Sequence, residues 1–302
     1  MATSDSVPAP SLRDPGYGGG LVDVFRHRHL LKLLVRKEIR VRYQGSVLGM
    51  GWSYIKPLAR FSVYFVIIGI ILGMNRAIPN FAVHIVAGMA LVHFFTEAFS
   101  STTNSVWRNR SLVRKIFLPR EMFPVSALLV SAVNLVPGLV ILAIVAGVTG
   151  WHPTWDVVPS FLLGFAIMAT WGMALGLLLS GFNVYFRDFS KVVEVIIVLI
   201  PWSTPMIYSL DLVRNAFAGR PDWMIELYLA NPLVEAVMLS QQAFWSPTVD
   251  QRDDLTASEQ ASLEMAPHLY ERGLIIVAIG LLLLWFAQKV FTRLEASFAE
   301  QL

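Results

Sequence analysis

The chain has 302 residues, of which 55% are hydrophobic and only 15% are charged, and its mean hydropathy is +0.58. A soluble domain carries about a quarter charged residues, so this composition predicts an integral membrane protein. The net charge is +3 and cysteine is absent, which excludes disulfides, thiolate metal sites and cysteine nucleophiles.

The first segment of the chain, residues 1–23, lacks the apolar core of a signal peptide and is predicted to be a disordered cytoplasmic tail. Residues 24–57 follow as a predicted interfacial region. Its first part, 24–43, is amphipathic, with cations at every fourth position: Arg28, Lys32, Arg36 and Arg40. This pattern is typical of a helix that lies in the membrane interface, although a plain juxtamembrane anchor would show it too.

The run RYQGSVLGMGWSYIKP, residues 42–57, closes the interfacial region. Basic side chains suit anionic headgroups, and Tyr and Trp suit the water–hydrocarbon boundary. Three glycines and a proline let the backbone turn into the bilayer. The run therefore predicts a gate for a lipid head that arrives from the cytoplasm, with candidate residues Arg42, Tyr43, Trp52, Lys56 and Arg60. The alternative is that these cations merely anchor the first span.

Six segments are apolar over the roughly 20 residues that a spanning helix needs. All lie in the predicted transmembrane domain, residues 58–302, at about 58–75, 81–101, 122–148, 157–182, 191–210 and 273–291. Pro201 and Pro205 predict that the fifth is kinked or broken. With the N-terminus inside, nineteen Lys and Arg lie on the cytoplasmic side and five lie outside. The positive-inside rule then places both termini in the cytoplasm.

The loop 102–121 lies on the predicted cytoplasmic side and combines a basic face with an apolar one. A short amphipathic helix of this kind can dock into a groove on a partner protein. An ordinary positive-inside loop is the alternative, but the large apolar Phe117 and Leu118 favour docking. The candidate coupling residues are Arg108, Arg110, Arg114, Lys115, Ile116, Phe117 and Leu118.

Polar and aromatic side chains stand out within the predicted spans. His93 and Glu97 share a face of the second span, and Asn134 lies in the third. Such groups face a bundle interior or a watery cavity, and hydrogen bonding inside the bundle is their structural interpretation. Aromatic rings stack on sugars, so a sugar path is one hypothesis for the aromatic residues and an interfacial belt is the other. The channel candidates are Phe94, Phe95, Phe99, Trp171, Trp202 and Tyr208.

Two apolar pieces precede the last span, at 223–230 and 232–245, and prolines bound them. Each is too short to span the bilayer, and their lengths predict a re-entrant helical hairpin that enters from outside. The following segment, 248–264, is acidic and polar and is predicted to be a mobile loop.

Taken together, these features resemble the membrane subunits of ABC-2 type polysaccharide exporters, the group that handles O-antigen, teichoic acid and galactan. The matching features are the interfacial helix before RYQGSVLGMGWSYIKP, six spans, the basic loop ending in IFLPRE, the FRD stretch after the fourth span and paired short helices before the last. The Cys-free, Ala-, Val- and Arg-rich composition is similar to that of the galactan exporter of mycobacteria.

The resemblance implies an all-α integral membrane protein in the bacterial inner membrane. It also implies a homodimer that binds two copies of a separate ABC ATPase, and that ATPase would hold the ATP and magnesium. This chain has no Walker A motif and no metal-ligand clustering, so no cofactor of its own is expected. The implied cargo is a polyprenyl-diphosphate-linked glycan among membrane lipids, and nucleic acid has no part. By resemblance, the helix near 108–118 would couple to the ATPase and the N-terminal helix would shape the lipid gate.

Two other functions remain open at this point. An ABC-2 exporter of lipids or drugs would share most of these features, although the N-terminal run is of the polysaccharide type. A membrane-embedded transferase acting on polyprenyl phosphates would need an acidic metal site near the membrane, and the predicted inner face has no cluster of Asp and Glu. The chain is therefore expected to be a non-catalytic transport subunit.

Overall fold

The computed structural model of the chain describes residues 20–115, 118–250, 252, 254–295 and 298–301. Every regular element in these residues is helical, which confirms the all-α prediction. In the first half of the chain the helices are α1 (Gly20–Arg26), α2 (Arg28–Tyr43), α3 (Trp52–Tyr64), α4 (Met74–Ala77), α5 (Phe81–Arg108), α6 (Arg110–Lys115) and α7 (Met122–Val148). The second half adds α8 (Val157–Tyr185), α9 (Asp188–Leu199), α10 (Leu210–Ala216), α11 (Trp223–Leu229), α12 (Pro232–Phe244), α13 (Ala257–Ser262), α14 (Leu269–Glu295) and α15 (Phe298–Gln301).

Helix α5 forms the centre of the bundle and packs against α7, α8 and α12, while α14 packs on the other side of α8. Small residues allow these close approaches, as is common where helices pack in membranes. A Cβ atom added at Gly176 of α8 would lie 2.6 Å from Cβ of Thr102 on α5. A Cβ added at Gly164 would lie 3.0 Å from the carbonyl oxygen of Ala236 on α12. Glycine therefore brings the three backbones together around α5.

Five helical segments among the described residues are long and apolar enough to cross a membrane: Gly49–Ile71, α5, α7, α8 and α14. The predicted third span matches the bounds of α7, and the second, fourth and last match α5, α8 and α14 with longer ends. The longer ends have a simple reason, since a helix can continue into water beyond its apolar stretch.

The helix of the first span begins earlier than the predicted residue 58. A 3₁₀ turn, Gly49–Gly51, leads into α3, which starts at Trp52 and continues as a π-helical stretch over Phe65–Ile71. Pro57 lies inside α3 rather than before it. A proline inside a helix removes one backbone donor and crowds the carbonyl four residues before it. The helix that contains the predicted first span thus begins before residue 58, and the bounds of its membrane-spanning part stay a prediction.

The predicted fifth span, 191–210, is broken in the structure, as its two prolines predicted. Helix α9 ends at Leu199, a 3₁₀ turn follows over Ile200–Ser203, and the backbone is extended at Thr204. At 1.5 Å per residue, α9 measures about 18 Å, well short of the roughly 30 Å hydrocarbon layer. The count of six spans therefore stays a prediction.

Helices α11 and α12 form the two pieces of the predicted hairpin. Asn231 separates them by capping α12, and its side chain accepts a hydrogen bond from the backbone N–H of Leu233 at 3.0 Å. Helix α12 lies against α5, where Ser240 donates to the carbonyl oxygen of Ala87 at 2.8 Å. Entry of this hairpin into the membrane stays a prediction.

The acidic segment after α12 contains the short helix α13. Thr256 and Glu259 form a reciprocal capping box at its start. The hydrogen bonds from the Thr256 backbone N–H and side chain hold the pKa of Glu259 below its usual range. Part of the segment predicted as a mobile loop is therefore helical.

Candidate functional site

The predicted gate region is a turn between α2 and the first candidate span. Helix α2 ends at Tyr43, and two residues in the connection have positive φ, Gly45 at 76° and Gly49 at 48°. Glycine adopts these left-handed conformations without the steric cost of a Cβ. The turn predicted from the glycines is thereby confirmed, and it brings the end of α2 beside the start of α3.

The five predicted gate residues line one cavity of about 380 Å³ at this turn. They are Arg42 and Tyr43 at the end of α2, and Trp52, Lys56 and Arg60 on α3. Two spans complete the wall, with His93 and Glu97 from α5 and Asn134 from α7. Ser46, Ser53 and Pro57, from the same 42–57 run, also line the cavity, although they were not among the predicted gate residues.

A hydrogen-bonded network joins four helices, α2, α3, α5 and α7, in the wall of this cavity. Arg42 Nη1 donates to Glu97 Oε1 at 2.6 Å, and Asn134 Nδ2 donates to the same oxygen at 2.6 Å. Tyr43 Oη contacts Ser53 Oγ and also lies 3.5 Å from Asn134 Oδ1. The polar residues found in the predicted spans therefore meet in one network, and that network holds the end of α2 on the bundle.

The remaining two cations are free to meet a ligand. Lys56 and Arg60 are exposed, and neither forms an ion pair with another residue in the part of the chain that the structure describes. They are four residues apart on α3, so they share a face. The cavity thus presents two unpaired positive charges at the entrance to the bundle.

Toward the outer side, the cavity narrows to an apolar slot between α3, α5 and α7. Val86, Met89, Phe94 and Ile141 line it, and its volume is about 20 Å³. Such a space holds roughly one water molecule, whereas ligand pockets measure hundreds of Å³. This space is therefore too small for a ligand beyond a single water molecule.

A second cavity, of about 330 Å³, lies between α2, the C-terminal end of α5 and the N-terminal end of α7. On its wall, Lys37 Nζ donates to Asn109 Oδ1 at 2.7 Å, and Asn109 Nδ2 donates to Glu38 Oε1 at 3.1 Å. Asn109 is buried and directly precedes α6. Helix α2 is thus tied to the loop that was predicted to couple to a partner, a contact that no sequence pattern indicated.

The predicted coupling residues fall into three groups. Arg108, Arg110 and Arg114 are exposed. Leu118 is partly buried against α1, α2 and the start of α7, together with Leu112 and Val113 of α6. Ile116, Phe117 and the side chain of Lys115 lie outside the described residues. Leu118 therefore has a packing role within the chain, so the docking prediction now depends on Phe117 and the exposed cations.

Trp107, at the end of α5, connects this loop to the FRD stretch. The guanidinium carbon of Arg187 lies 4.0 Å from the centre of the Trp107 ring, and that of Arg110 lies 4.9 Å from it. Arg187 directly precedes α9. Two cation–π contacts thus join α5, α6 and α9 on the side that is predicted to be cytoplasmic.

The predicted channel aromatics occupy different environments. Phe94, Phe95 and Phe99 are buried inside the bundle, and the Phe94 ring stacks on Phe165 with centroids 4.9 Å apart. Trp171 donates to the carbonyl oxygen of Ile276 at 3.0 Å and so joins α8 to α14. Trp202 is exposed, and its carbonyl oxygen accepts a hydrogen bond from Tyr208 at 3.1 Å. A sugar path along these rings stays a prediction.

The long apolar helices, the interfacial helix and the cationic cavity define a multi-pass membrane protein with a binding region at one end of its bundle. Residues 29–245 match the family model for the ABC-2 type transporter, so the chain belongs to that family. It is similar to an O-antigen export system permease protein RfbA of Myxococcus xanthus, with 27% identity over 93% of this chain and 98% of the relative. Two proteins of that name from Klebsiella pneumoniae are 26% and 25% identical to it, each over 90% of this chain and 94% of the relative.

Proposed function

We propose that this chain is the transmembrane subunit of an ATP-driven exporter that moves a polyprenyl-diphosphate-linked polysaccharide across the bacterial inner membrane for cell-envelope assembly. The observation that carries the proposal is the cavity at the turn after α2, where Arg42, Lys56 and Arg60 converge. Cations placed at a membrane entrance suit a phosphorylated lipid head. The name of the three relatives, which refers to O-antigen export, supports a polysaccharide cargo.

The contacts of α2 support a route by which a partner ATPase would act. Asn109 ties the middle of α2 to the start of α6, and Arg42 ties its end to the cavity. A nucleotide-driven displacement of α6 would therefore move α2 and change the cavity wall. In this proposal the chain acts in a homodimer with two ATPase subunits, both termini lie in the cytoplasm, and ATP and magnesium bind to the partner. Galactan as the particular glycan stays a prediction.

The rival functions receive less support. An exporter of lipids or drugs would also accept an anionic head group at this cavity, but the names of the relatives favour a polysaccharide. A polyprenyl-phosphate sugar transferase would need acidic metal ligands, and no cluster of three or more candidate ligands occurs within the described part of the chain.

Reconstitution with the ATPase encoded beside this chain tests the proposal. The isolated chain should hydrolyse no ATP, and co-expression should give a complex with two copies of each subunit. In proteoliposomes, this complex should move a labelled lipid-linked glycan only when ATP is present. A complex whose ATPase carries a substituted Walker lysine is the control. Robust ATP hydrolysis by the isolated chain, or unchanged envelope polysaccharide after deletion of its gene, would contradict the proposal.

A further inference from the structure

Glu97 is a carboxylate in the wall of a cavity that is otherwise cationic. It lies on α5 about three turns before the helix ends at Arg108, roughly 16 Å along the axis. A carboxylate within a membrane span is costly. It also cannot attract an anionic head group, because both are negatively charged. Its side chain is only 15% exposed and is paired with Arg42, which belongs to a different helix.

The Arg42–Glu97 pair sets how much positive charge the cavity offers to a ligand. Arg42, Lys56 and Arg60 face a single carboxylate, so two positive charges are left uncompensated. A glycan-linked polyprenyl diphosphate is a diester that keeps one ionised oxygen on each of its two phosphates. Lys56 and Arg60 can meet those two charges directly. The charge of Arg42 is compensated by Glu97, and its Nη1 donor becomes available to the head group only when that contact opens.

We infer that Glu97 is a resident counter-ion for Arg42, and that the diphosphate of the lipid-linked substrate displaces it. This inference rests on the proposed function. In the empty cavity Glu97 holds Arg42, and with it the end of α2, against α5. When the head group takes the guanidinium, Asn134 Nδ2 still donates to Glu97 Oε1 and keeps one donor on the carboxylate.

The exchange has a physical use in a transporter. A conducting site has to bind its cargo strongly enough for entry but weakly enough for release. The carboxylate competes with the substrate for Arg42 and so lowers its affinity. When Arg42 changes partner, the end of α2 also loses its ion pair with α5. Occupancy of the cavity is thereby linked to the helix that contacts the predicted coupling loop.

The test is Glu97→Gln in the complete complex with the ATPase, held in nanodiscs. The probe is undecaprenyl diphosphate that carries one sugar, and its dissociation constant is measured for wild type and variant. The amide keeps the shape of the side chain but loses its charge, so it competes poorly for Arg42. The variant should bind the probe about fivefold more tightly or better, the lower end of typical coupling between two sites.

Glu264→Gln is the matched control, because it removes a carboxylate that is paired with Arg214, is 70% exposed and does not line the cavity. Its affinity should stay within about twofold of wild type, the size of a weak exposed ion pair. If Glu97 merely fastened α2 to the bundle, Glu97→Gln would bind equally or more weakly, and that result would overturn the inference while leaving the proposed function intact. A wild-type complex that does not bind the probe at all would overturn both.

Discussion

Lys56 and Arg60 are the two residues through which the cavity can act on a charged ligand without first breaking an internal contact. Both are exposed, both face the cavity, and they lie one turn apart on α3. Lysine acts as a point charge and arginine as a fork that can bind two phosphate oxygens. Their alternative role is to anchor α3 at the headgroups. The two roles differ in what happens when the charges are removed but the side chains stay polar.

The double substitution Lys56→Gln and Arg60→Gln should leave membrane insertion normal and reduce export. Each cation near an anionic group contributes about 1 kcal/mol, so loss of both should lower the affinity for the head group roughly 30-fold. The measurement is lipid-linked glycan retained in the cell, compared at equal amounts of inserted protein. Lys32→Gln with Arg36→Gln is the control, because these α2 cations are also four apart and exposed but do not line the cavity. Normal export in the first double variant would remove Lys56 and Arg60 from the substrate path.

The sequence predicted the cations of the site but not their partners. Arg42, Lys56 and Arg60 stand in one short run, so their shared location is a local property. Glu97 and Asn134 were recognisable as costly polar groups within spans, yet their meeting depends on the packing of α2, α5 and α7. Periodicity along one helix carries no information about which neighbour it faces. The same reason explains why Ser53 and Asn109 were missed.

At the scale of elements, α2 is fastened at two points, Glu97 within α5 and Asn109 directly after the end of α5. Its middle binds Asn109 beside α6 through Lys37 and Glu38, and its end binds α5 through Arg42. Trp107 makes a parallel connection, because its ring contacts both Arg110, the first residue of α6, and Arg187, directly before α9. A displacement of α6 would therefore be transmitted to the cavity through α2 and to α9 through Trp107.

Trp107→Ala should weaken the connection between α6 and α9. It removes two cation–π contacts, each worth about 0.5–2 kcal/mol depending on solvent exposure. In the complex with the proposed ATPase, ATP hydrolysis should persist while the amount of glycan moved per ATP falls. Trp107→Phe keeps an aromatic face and should retain most of the coupling. An unchanged ratio of transport to hydrolysis in Trp107→Ala would show that this contact transmits nothing.

Which elements could be predicted depended on how uniform their sequence is. Helix α7 is strongly apolar and has no charged residue, so the predicted bounds 122–148 match the structure. Helix α3 mixes cations and Pro57 with apolar residues, and it begins before the predicted start of the first span. The prolines after α9 correctly indicated a break. Hydropathy measures where a helix can lie in lipid, whereas helix ends are set by caps and local backbone geometry.

The whole molecule exposes its apolar surface unevenly. In α5, 78% of the spanning window is buried within the chain, whereas the figure for Gly49–Ile71 is 17%. Helix α9 is also largely exposed and carries charged residues among its apolar ones. The side chains of Lys191 and Glu194 are 74% and 60% exposed, although α9 was predicted to lie in the membrane. Charged groups within a membrane rarely face lipid and usually face a protein partner or a watery cavity.

This exposure predicts that α9 lies at an interface between two copies of the chain rather than against lipid. Val198 stands four residues after Glu194 on the same face and is 66% exposed. Because the chain has no native cysteine, Val198→Cys introduces a single reactive thiol. In native membranes it should cross-link to a second copy with a short bis-maleimide.

Leu282→Cys on α14 is the control. Leu282 is equally exposed, at 67%, but has no charged residue nearby in the middle of its helix, and the variant should stay monomeric under the same treatment. Equal cross-linking at both positions would indicate random collision in the membrane. Cross-linking at Leu282 alone would place the interface on α14 and leave the exposed charges of α9 to a watery cavity.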